Sequence, residues 1–209
     1  MNIGRPAPGE EINPGAETVP RPAATVILLR GGGDGLEVLL VQRNPASRFM
    51  GGAWVFPGGA VDAHEGEGDT ALRAAAVREL EEEADVRVAG PQALVPFSRW
   101  ITPAEVKIRF DTWFYLAALP AGAVPVVDGS EIVASRWYEP AAALRAGERA
   151  EMLLVFPTIK HLEQLSAFRS ADELIAHARG REVLPVQPKV LLSGETARVV
   201  LPGEPGYED

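Results

Sequence analysis

The stretch RELEEEADV, residues 78–86, restricts most sharply what this chain can fold into. With the preceding TALRAAAV it forms a run of good helix formers from Thr70 to Ala84, and Thr70 or Asp69 is available to cap its start. It also crowds Glu79, Glu81, Glu82, Glu83 and Asp85 into little more than two turns. Like charges at i,i+4 repel by roughly a few tenths of a kcal/mol per pair. On a helix, Glu79, Glu82 and Glu83 share one face, with Leu80, Val77 and Ala84 on an adjacent face that packs inward. Glu81 points elsewhere, and Arg78 stands one turn before Glu82 and pairs with it. Such a face is either solvated acidic surface or a seat for a hard divalent cation, which takes carboxylate oxygens and keeps waters.

Composition narrows the partners. The chain has 209 residues, 46% of them hydrophobic, enough for one sizeable core with appendages. A net charge of −9 argues against a nucleic-acid backbone as partner, which demands a basic face, and suits acidic groups that hold metal cations. There is no cysteine, so disulfides, thiolate metal sites and cysteine nucleophiles are excluded. No apolar run reaches the ~18 residues of a membrane span. The opening MNIGRPAPGEEINPGAETVPRP lacks the basic-then-apolar order of a signal peptide, so the expectation is a cytoplasmic protein with a flexible arm over residues 1–20.

The rest of the chain alternates between strand and helix signals. AATVILLR (23–30) reads as a buried strand, GGGDG (31–35) as a turn, and LEVLLVQR (36–43) as the return strand of a hairpin. VFPGGAVD (55–62) is a strand broken by Pro57-Gly58-Gly59, followed by the polar loop AHEGEGD (63–69). Further strands are predicted at ALVPFSRWITP, at 106–119 and at 131–140, then a short helix at AAALRAGE and two helices over 158–179 divided near Phe168-Arg169-Ser170. The tail predicts a hairpin around Gly194-Glu195, whose edge could pair with a second subunit in a homodimer. The mixture implies an α/β or α+β sandwich, with a main domain over 21–180 and the hairpin extension over 181–209.

With PGGAVD upstream of RELEEEADV, the sequence resembles the Nudix family, whose box reads G-x5-E-x7-R-E-U-x-E-E-x-G-U with U apolar. Gly59 matches the first glycine, and Arg78, Glu79, Leu80, Glu82, Glu83 and Val86 match the second half. The hairpin, WVFPGG and RFDTWFYLA extend the resemblance over roughly residues 22–145. Two positions depart from the box. Counting back from Arg78, its isolated glutamate falls on Thr70, with Asp69 or Glu67 as substitutes, and the Gly59-to-Arg78 segment is five residues too long. The last glycine is Asp85, a residue that tolerates the left-handed conformation a helix end needs. Neither departure touches the carboxylates of the R-E-U-x-E-E core.

The resemblance implies an α/β/α sandwich with a mixed sheet and a Mg²⁺- or Mn²⁺-dependent hydrolase of a diphosphate linkage in a small nucleotide-type metabolite. The framing of the box looks like the branch that includes coenzyme A diphosphatases. It implies Glu79 and Glu83 as metal ligands, Glu82 as ligand to a further ion, the Gly58 carbonyl completing the site, and Arg78 orienting a glutamate. The inserted loop 60–69 is expected to lie outward, at the substrate mouth. Glu131, in DGSE, is the candidate general base, or a surface glutamate in a turn. Arg43 is a candidate phosphate donor, or one half of a surface ion pair. Trp54, Phe110 and Trp113 are stacking candidates or core; His64 and His161 have no partners at ligand spacing. A non-catalytic Nudix module that senses a nucleotide metabolite is the alternative. A prenyl diphosphate isomerase is disfavoured because that branch uses a cysteine.

Overall fold

The computed structural model describes residues 11–13, 15–32, 35–193 and 196–208. In chain order the strands and helices are β1 (Arg21–Arg30), β2 (Glu37–Arg43), β3 (Ala53–Val55), β4 (Gly58–Ala60), α1 (Gly68–Ala84), β5 (Val95–Ile101), β6 (Phe110–Ala118) and β7 (Ile132–Tyr138). There follow α2 (Pro140–Glu148), β8 (Leu153–Leu154), α3 (Phe156–Leu165), α4 (Ala171–Ala178), β9 (Pro185–Val186), β10 (Lys189–Ser193) and β11 (Thr196–Val200). The central mixed sheet runs β8-β3-β2-β1-β6-β5-β9, with β4 on β1 and β7 on β2. Helix α1 covers one face, over Ala24, Val26, Leu28 and Tyr115; α2, α3 and α4 cover the other, over Ile27, Leu29, Phe114 and Leu116. Because both faces are buried, β1 reads as a continuous apolar run rather than an alternating one. The architecture is the expected α/β/α sandwich, and no helix among the described residues is long and apolar enough to cross a membrane.

The predicted β1–β2 hairpin exists only at its closed end, where Leu29 and Arg30 face Val38 and Glu37. Along its length β1 is paired instead with the parallel β6, Arg21–Leu29 against Phe110–Ala118. The two hairpin strands splay, and the bent β3–β4 segment fills the gap. Val55 and Trp54 pair with β2, while Gly58–Ala60 pair with β1 at Ala23–Thr25. The bend falls at Pro57, which has no N–H to donate but accepts the Val26 N–H at 2.8 Å. This wedge is where the sheet meets α1.

Helix α1 begins at Gly68, two residues before the expected start, and its cap residue Glu67 makes no side-chain capping bond. Asp69 instead pairs with Arg73 one turn on, at 2.6 Å. Its inward face carries Ala71, Ala75, Ala76, Leu80 and Ala84, small side chains that bring the helix axis close to the sheet. At its end Asp85 adopts φ 50°, ψ 35°, the left-handed cap read from the sequence, and its N–H bonds the Glu81 carbonyl at 2.9 Å.

Two expected boundaries shift. The strand predicted from 106 starts at Phe110, because 105–109 anchors the N-terminal segment. Ile12 bridges Val106, and the Lys107 N–H bonds Glu11 O at 2.9 Å. Arg109 is 3% exposed, and its guanidinium donates to Glu17 at 2.5 Å and to the carbonyls of Thr18 at 2.6 Å and Thr102 at 3.0 Å. Against the expected flexible arm, residues 11–13 are therefore tied by backbone bonds to 105–107, and Glu17 and Thr18 by the buried Arg109; residues 1–10 and 14 lie outside the described residues. The tail hairpin pairs as expected, Lys189–Ser193 against Val200–Thr196, while its turn residues Gly194 and Glu195 lie outside the described residues. The tail does not stand apart from residue 181 onward: β9 joins the main sheet beside Arg99 and Trp100, and Val200 is fully buried.

His161 belongs to this core. It is fully buried among Phe56, Phe97, Trp100 and Phe114, with Nδ1 donating to the Pro157 carbonyl at 2.7 Å and Nε2 accepting from the Ser98 hydroxyl at 2.6 Å. Burial pushes its pKa down to about 4, against the helping carbonyl of Pro157. The unfolded chain binds the proton more tightly, so the stability carried by neutral His161 is complete above pH about 6.5 and is lost as pH falls toward 4. That loss amounts to about 3 kcal/mol. The melting temperature of wild type relative to His161→Phe should accordingly fall as pH drops through this window, in thermal unfolding followed by circular dichroism.

For the N-terminal segment, deleting residues 1–18 should lower the melting temperature and increase proteolysis at 105–109, because Arg109 would lose the Glu17 carboxylate and the Thr18 carbonyl. Glu17→Gln should reproduce part of the effect, since Arg109 would keep a partner but not a charge.

Candidate active site

Helix α1 presents Glu79 and Glu83 to the β3–β4 wedge. Glu83 is 3% exposed, and its Oε2 accepts the Gly58 N–H at 2.9 Å. A side chain at Gly59 would collide with the Glu79 carboxylate, and one at Gly58 with the Ala24 carbonyl and Thr25. Both glycines are thus demanded by close approach rather than by a turn, and Gly58 meets the acid through its N–H.

Arg78 gathers the surrounding groups. Its Nε donates to Glu65 at 3.0 Å, its Nη1 to Glu79 at 2.8 Å and Glu82 at 2.9 Å, and its Nη2 to the Ala60 carbonyl at 3.1 Å. These carboxylates raise its pKa against the opposing effect of burial. The expected pairing with Glu82 is present, and Glu79 and Glu65 join it. Glu82 itself lies at the rim, with its side chain 59% exposed. Glu81 pairs outward with Arg87 at 2.7 Å, as the helical spacing anticipated.

Glu65 is the residue that reading back from Arg78 misses. It stands where the box expects its glutamate when counted forward from Gly59, so the five extra residues lie after it. Around the 3₁₀ turn Ala63–Glu65 the Asp62 N–H donates to the Glu65 carboxylate at 2.7 Å and the Glu65 N–H to the Asp62 carbonyl at 3.0 Å, and the Glu65 side chain is 5% exposed. Arg78 draws its pKa down against burial. The loop 63–69 is therefore not wholly outward, whereas Thr70 and Glu67 are exposed and Asp69 is spent on Arg73.

Arg43 and Glu131 close the other side. A register slip sets Arg43 opposite Ile132 while Gln42 faces Ala134, and such a bulge re-aims the side chain. The Arg43 side chain is 17% exposed, its Nη1 3.9 Å from Glu83 and its Nη2 3.7 Å from Glu131. Its Nε donates to the Phe49 carbonyl at 3.3 Å. Glu131 is set by the turn before it: Asp128 accepts the N–H groups of Ser130, Glu131 and Ile132 at 2.8, 2.7 and 2.8 Å. Those donors, with the Ser130 hydroxyl, hold Asp128 well below the usual carboxylate range against slight burial. Asn44 adds its N–H to the Glu131 carbonyl at 2.8 Å.

The negative charge here is under-compensated. Burial pushes the Glu83 pKa up to about 8; the Gly58 N–H and Arg43 oppose this, and the charges of Glu79 and Glu131 add to it. Glu79 is raised by burial, and by Glu82 and Glu131, against Arg78. Such a set fits a divalent cation, since Mg²⁺ is held by one or two carboxylates plus waters and phosphate oxygens. Among the described residues, no three acidic or imidazole groups converge into a ready-made cage. Of the residues expected as ligands, Glu79 and Glu83 face the wedge together, Gly58 donates its N–H to Glu83, and Glu82 lies apart from them, accepting from Arg78.

The aromatic candidates divide. Trp54 is core, edge-on to Tyr138. Phe110 and Trp113 are on opposite faces of β6, so they cannot flank one base. Trp113 stacks on Tyr115 beneath Arg99, which Asp111 grips through two bonds at 2.8 and 2.6 Å. His64 is exposed, with Asp62 at 3.9 Å.

Known proteins resemble this chain in sequence and in fold. Nudix hydrolase 7 of Caenorhabditis elegans is 26% identical over 208 residues, covering 82% of this chain and 70% of that protein. The acyl-coenzyme A diphosphatase NUDT19 of Homo sapiens is 23% identical, covering 83% and 73%. Among solved structures, a Nudix hydrolase from Alicyclobacillus acidocaldarius superposes with a TM-score of 0.70 at 26% identity, over 76% of this chain and 96% of that one. A C. elegans Ap4A hydrolase shares the fold, with a TM-score of 0.51 at 24% identity over 71% and 96%. The NUDIX domain family matches residues 19–158, most of the chain, and the protein belongs to that family of diphosphate-cleaving hydrolases.

Proposed function

We propose that the protein is a Mg²⁺- or Mn²⁺-dependent hydrolase of the diphosphate linkage in a coenzyme A-type nucleotide metabolite. The observation that carries the proposal is the pair of buried Glu83 and half-buried Glu79, docked on Gly58–Gly59 with too little positive charge around it. Glu79 and Glu83 would hold the cation. When bound, the cation supplies Lewis-acid stabilisation of the phosphate oxygens and a water of lowered pKa. Arg43, whose η nitrogens make no hydrogen bond among the described residues, donates to a phosphate oxygen. Glu131, anchored by Asp128 and 66% exposed, accepts the proton of the attacking water. Arg78 fixes the rotamer of Glu79, and Glu65 fixes Arg78. Glu82, at the rim, is the ligand for a further ion. The coenzyme A class is supported by the human acyl-coenzyme A diphosphatase among the relatives.

The direct test is a screen with Mn²⁺ and Mg²⁺ against coenzyme A, an acyl-coenzyme A, ADP-ribose and diadenosine tetraphosphate. Turnover of the coenzyme A compounds into (acyl-)phosphopantetheine and adenosine 3′,5′-bisphosphate, abolished by EDTA, is the expected outcome; preference for diadenosine tetraphosphate would reassign the substrate. Glu83→Gln should lower kcat on the preferred substrate by about a hundredfold or more, as loss of transition-state charge stabilisation does.

Glu65 and Thr70 separate the two ways of aligning the box. Glu65→Gln should lower kcat about tenfold, as loss of a supporting partner does at metal sites. Thr70→Glu, at an exposed position, should change it by less than about twofold. The reverse ranking would return the box glutamate to position 70.

A further inference from the structure

Arg78, Arg99 and Arg109 are each locked by hydrogen bonds to carboxylates, at 2.8, 2.6 and 2.5 Å respectively for the shortest. Arg43 is not. Among the described residues its one side-chain hydrogen bond runs from Nε to the Phe49 carbonyl, and its two η nitrogens stand 3.9 and 3.7 Å from Glu83 and Glu131, beyond hydrogen-bonding reach. It is attracted to both acids and held by neither. On Glu83 the contact is to Oε1, while Oε2 is committed to the Gly58 N–H. Oε1 accepts no hydrogen bond among the described residues and is therefore the freer oxygen of Glu83 for a metal ion.

We propose that Arg43 is a built-in counter-cation that competes with the divalent ion for Glu83 Oε1 and thereby weakens the protein's intrinsic metal affinity. The inference rests on the reading of Glu79 and Glu83 as the cation's ligands. The competition is electrostatic. A guanidinium kept beside the ion by the Phe49 carbonyl and the bulge at Gln42–Arg43 opposes its charge whether or not the ion has taken Oε1. At a separation of about 6 Å a unit charge shifts the affinity of a divalent ion about tenfold even at the dielectric of water. A phosphate that draws Arg43 to itself removes the opposition, so metal and diphosphate favour one another by linkage.

The test needs no substrate. Mn²⁺ alone is titrated calorimetrically into the full chain as wild type, Arg43→Gln, Arg43→Met, Arg43→Lys and Glu83→Gln, with thermal melts confirming that each is folded. Arg43→Gln and Arg43→Met should bind Mn²⁺ about tenfold more tightly than wild type, and Arg43→Lys, which keeps the charge, should stay near wild type. Equal or weaker binding by both neutral variants would overturn the proposal, because Arg43 would then be ordering the carboxylates rather than opposing the ion. Glu83→Gln separates this failure from a deeper one. If it binds Mn²⁺ as wild type does, Glu83 is not a ligand and both readings fall. If it weakens binding while neutral Arg43 variants do not strengthen it, only the competition is lost.

Discussion

The hydrogen bond from the Gly58 amide to the Glu83 carboxylate is the contact around which the rest of the structure is arranged. A backbone N–H reaches a helix side chain only if helix and strand lie close, and the alanines at 71, 75, 76 and 84 provide that closeness. The amide must also be free of the sheet ladder, and the bend at Pro57 frees it where β3 leaves β2 for β1. Glycine is required because a side chain would strike Ala24 and Thr25. Burying a carboxylate is costly unless it is compensated, and one amide with one distant guanidinium compensates Glu83 only in part. Under the proposed function that residual charge has a use: a site left electrostatically incomplete by its own protein would be completed by a cation and a phosphate-bearing substrate.

The sequence was legible where a pattern is local. The helix of residues 70–84, its left-handed end at Asp85, the broken strand at Pro57 and the division of the last two helices all follow from propensities within a few residues, and the structure carries each. What failed was pairing. Strand β1 is followed at once by β2, so adjacency suggests a hairpin, but its long partner is β6, over eighty residues on and parallel. The N-terminal segment looks like a loose arm because its composition says nothing of Arg109, the cation that holds it. β9 is two residues long and carries no period to detect.

At the site the same division holds. Helical spacing put Glu79 and Glu83 on one face and Glu81 outside it, and the structure agrees. Spacing cannot say how far around that face the sheet reaches, and Glu82 lies just past its edge, taken by Arg78. Arg43 and Glu131 were nameable but ambiguous between catalysis and surface. The structure brings both to Glu83 through features no motif encodes, a bulge in β2–β7 and the Asp128 turn.

Glu65 shows why an insertion can spare a site. Had the five extra residues fallen before it, Glu65 would have moved away from Gly59 and lost the Asp62 N–H that fixes its carboxylate. Falling after it, they are absorbed between the 3₁₀ turn and the body of α1, where the helix start has no side-chain cap and Gly66 and Gly68 both have positive φ. The glutamate reaches Arg78 across space rather than along the helix, so the number of residues between them is free to vary while the 3.0 Å contact is kept. The spacing of Glu79 and Glu83 has no such freedom, because both must meet adjacent residues of one short strand from a single helix face. A box of this kind is rigid in its second half and elastic in its first, and an alignment anchored at the arginine alone reads the elastic part out of register.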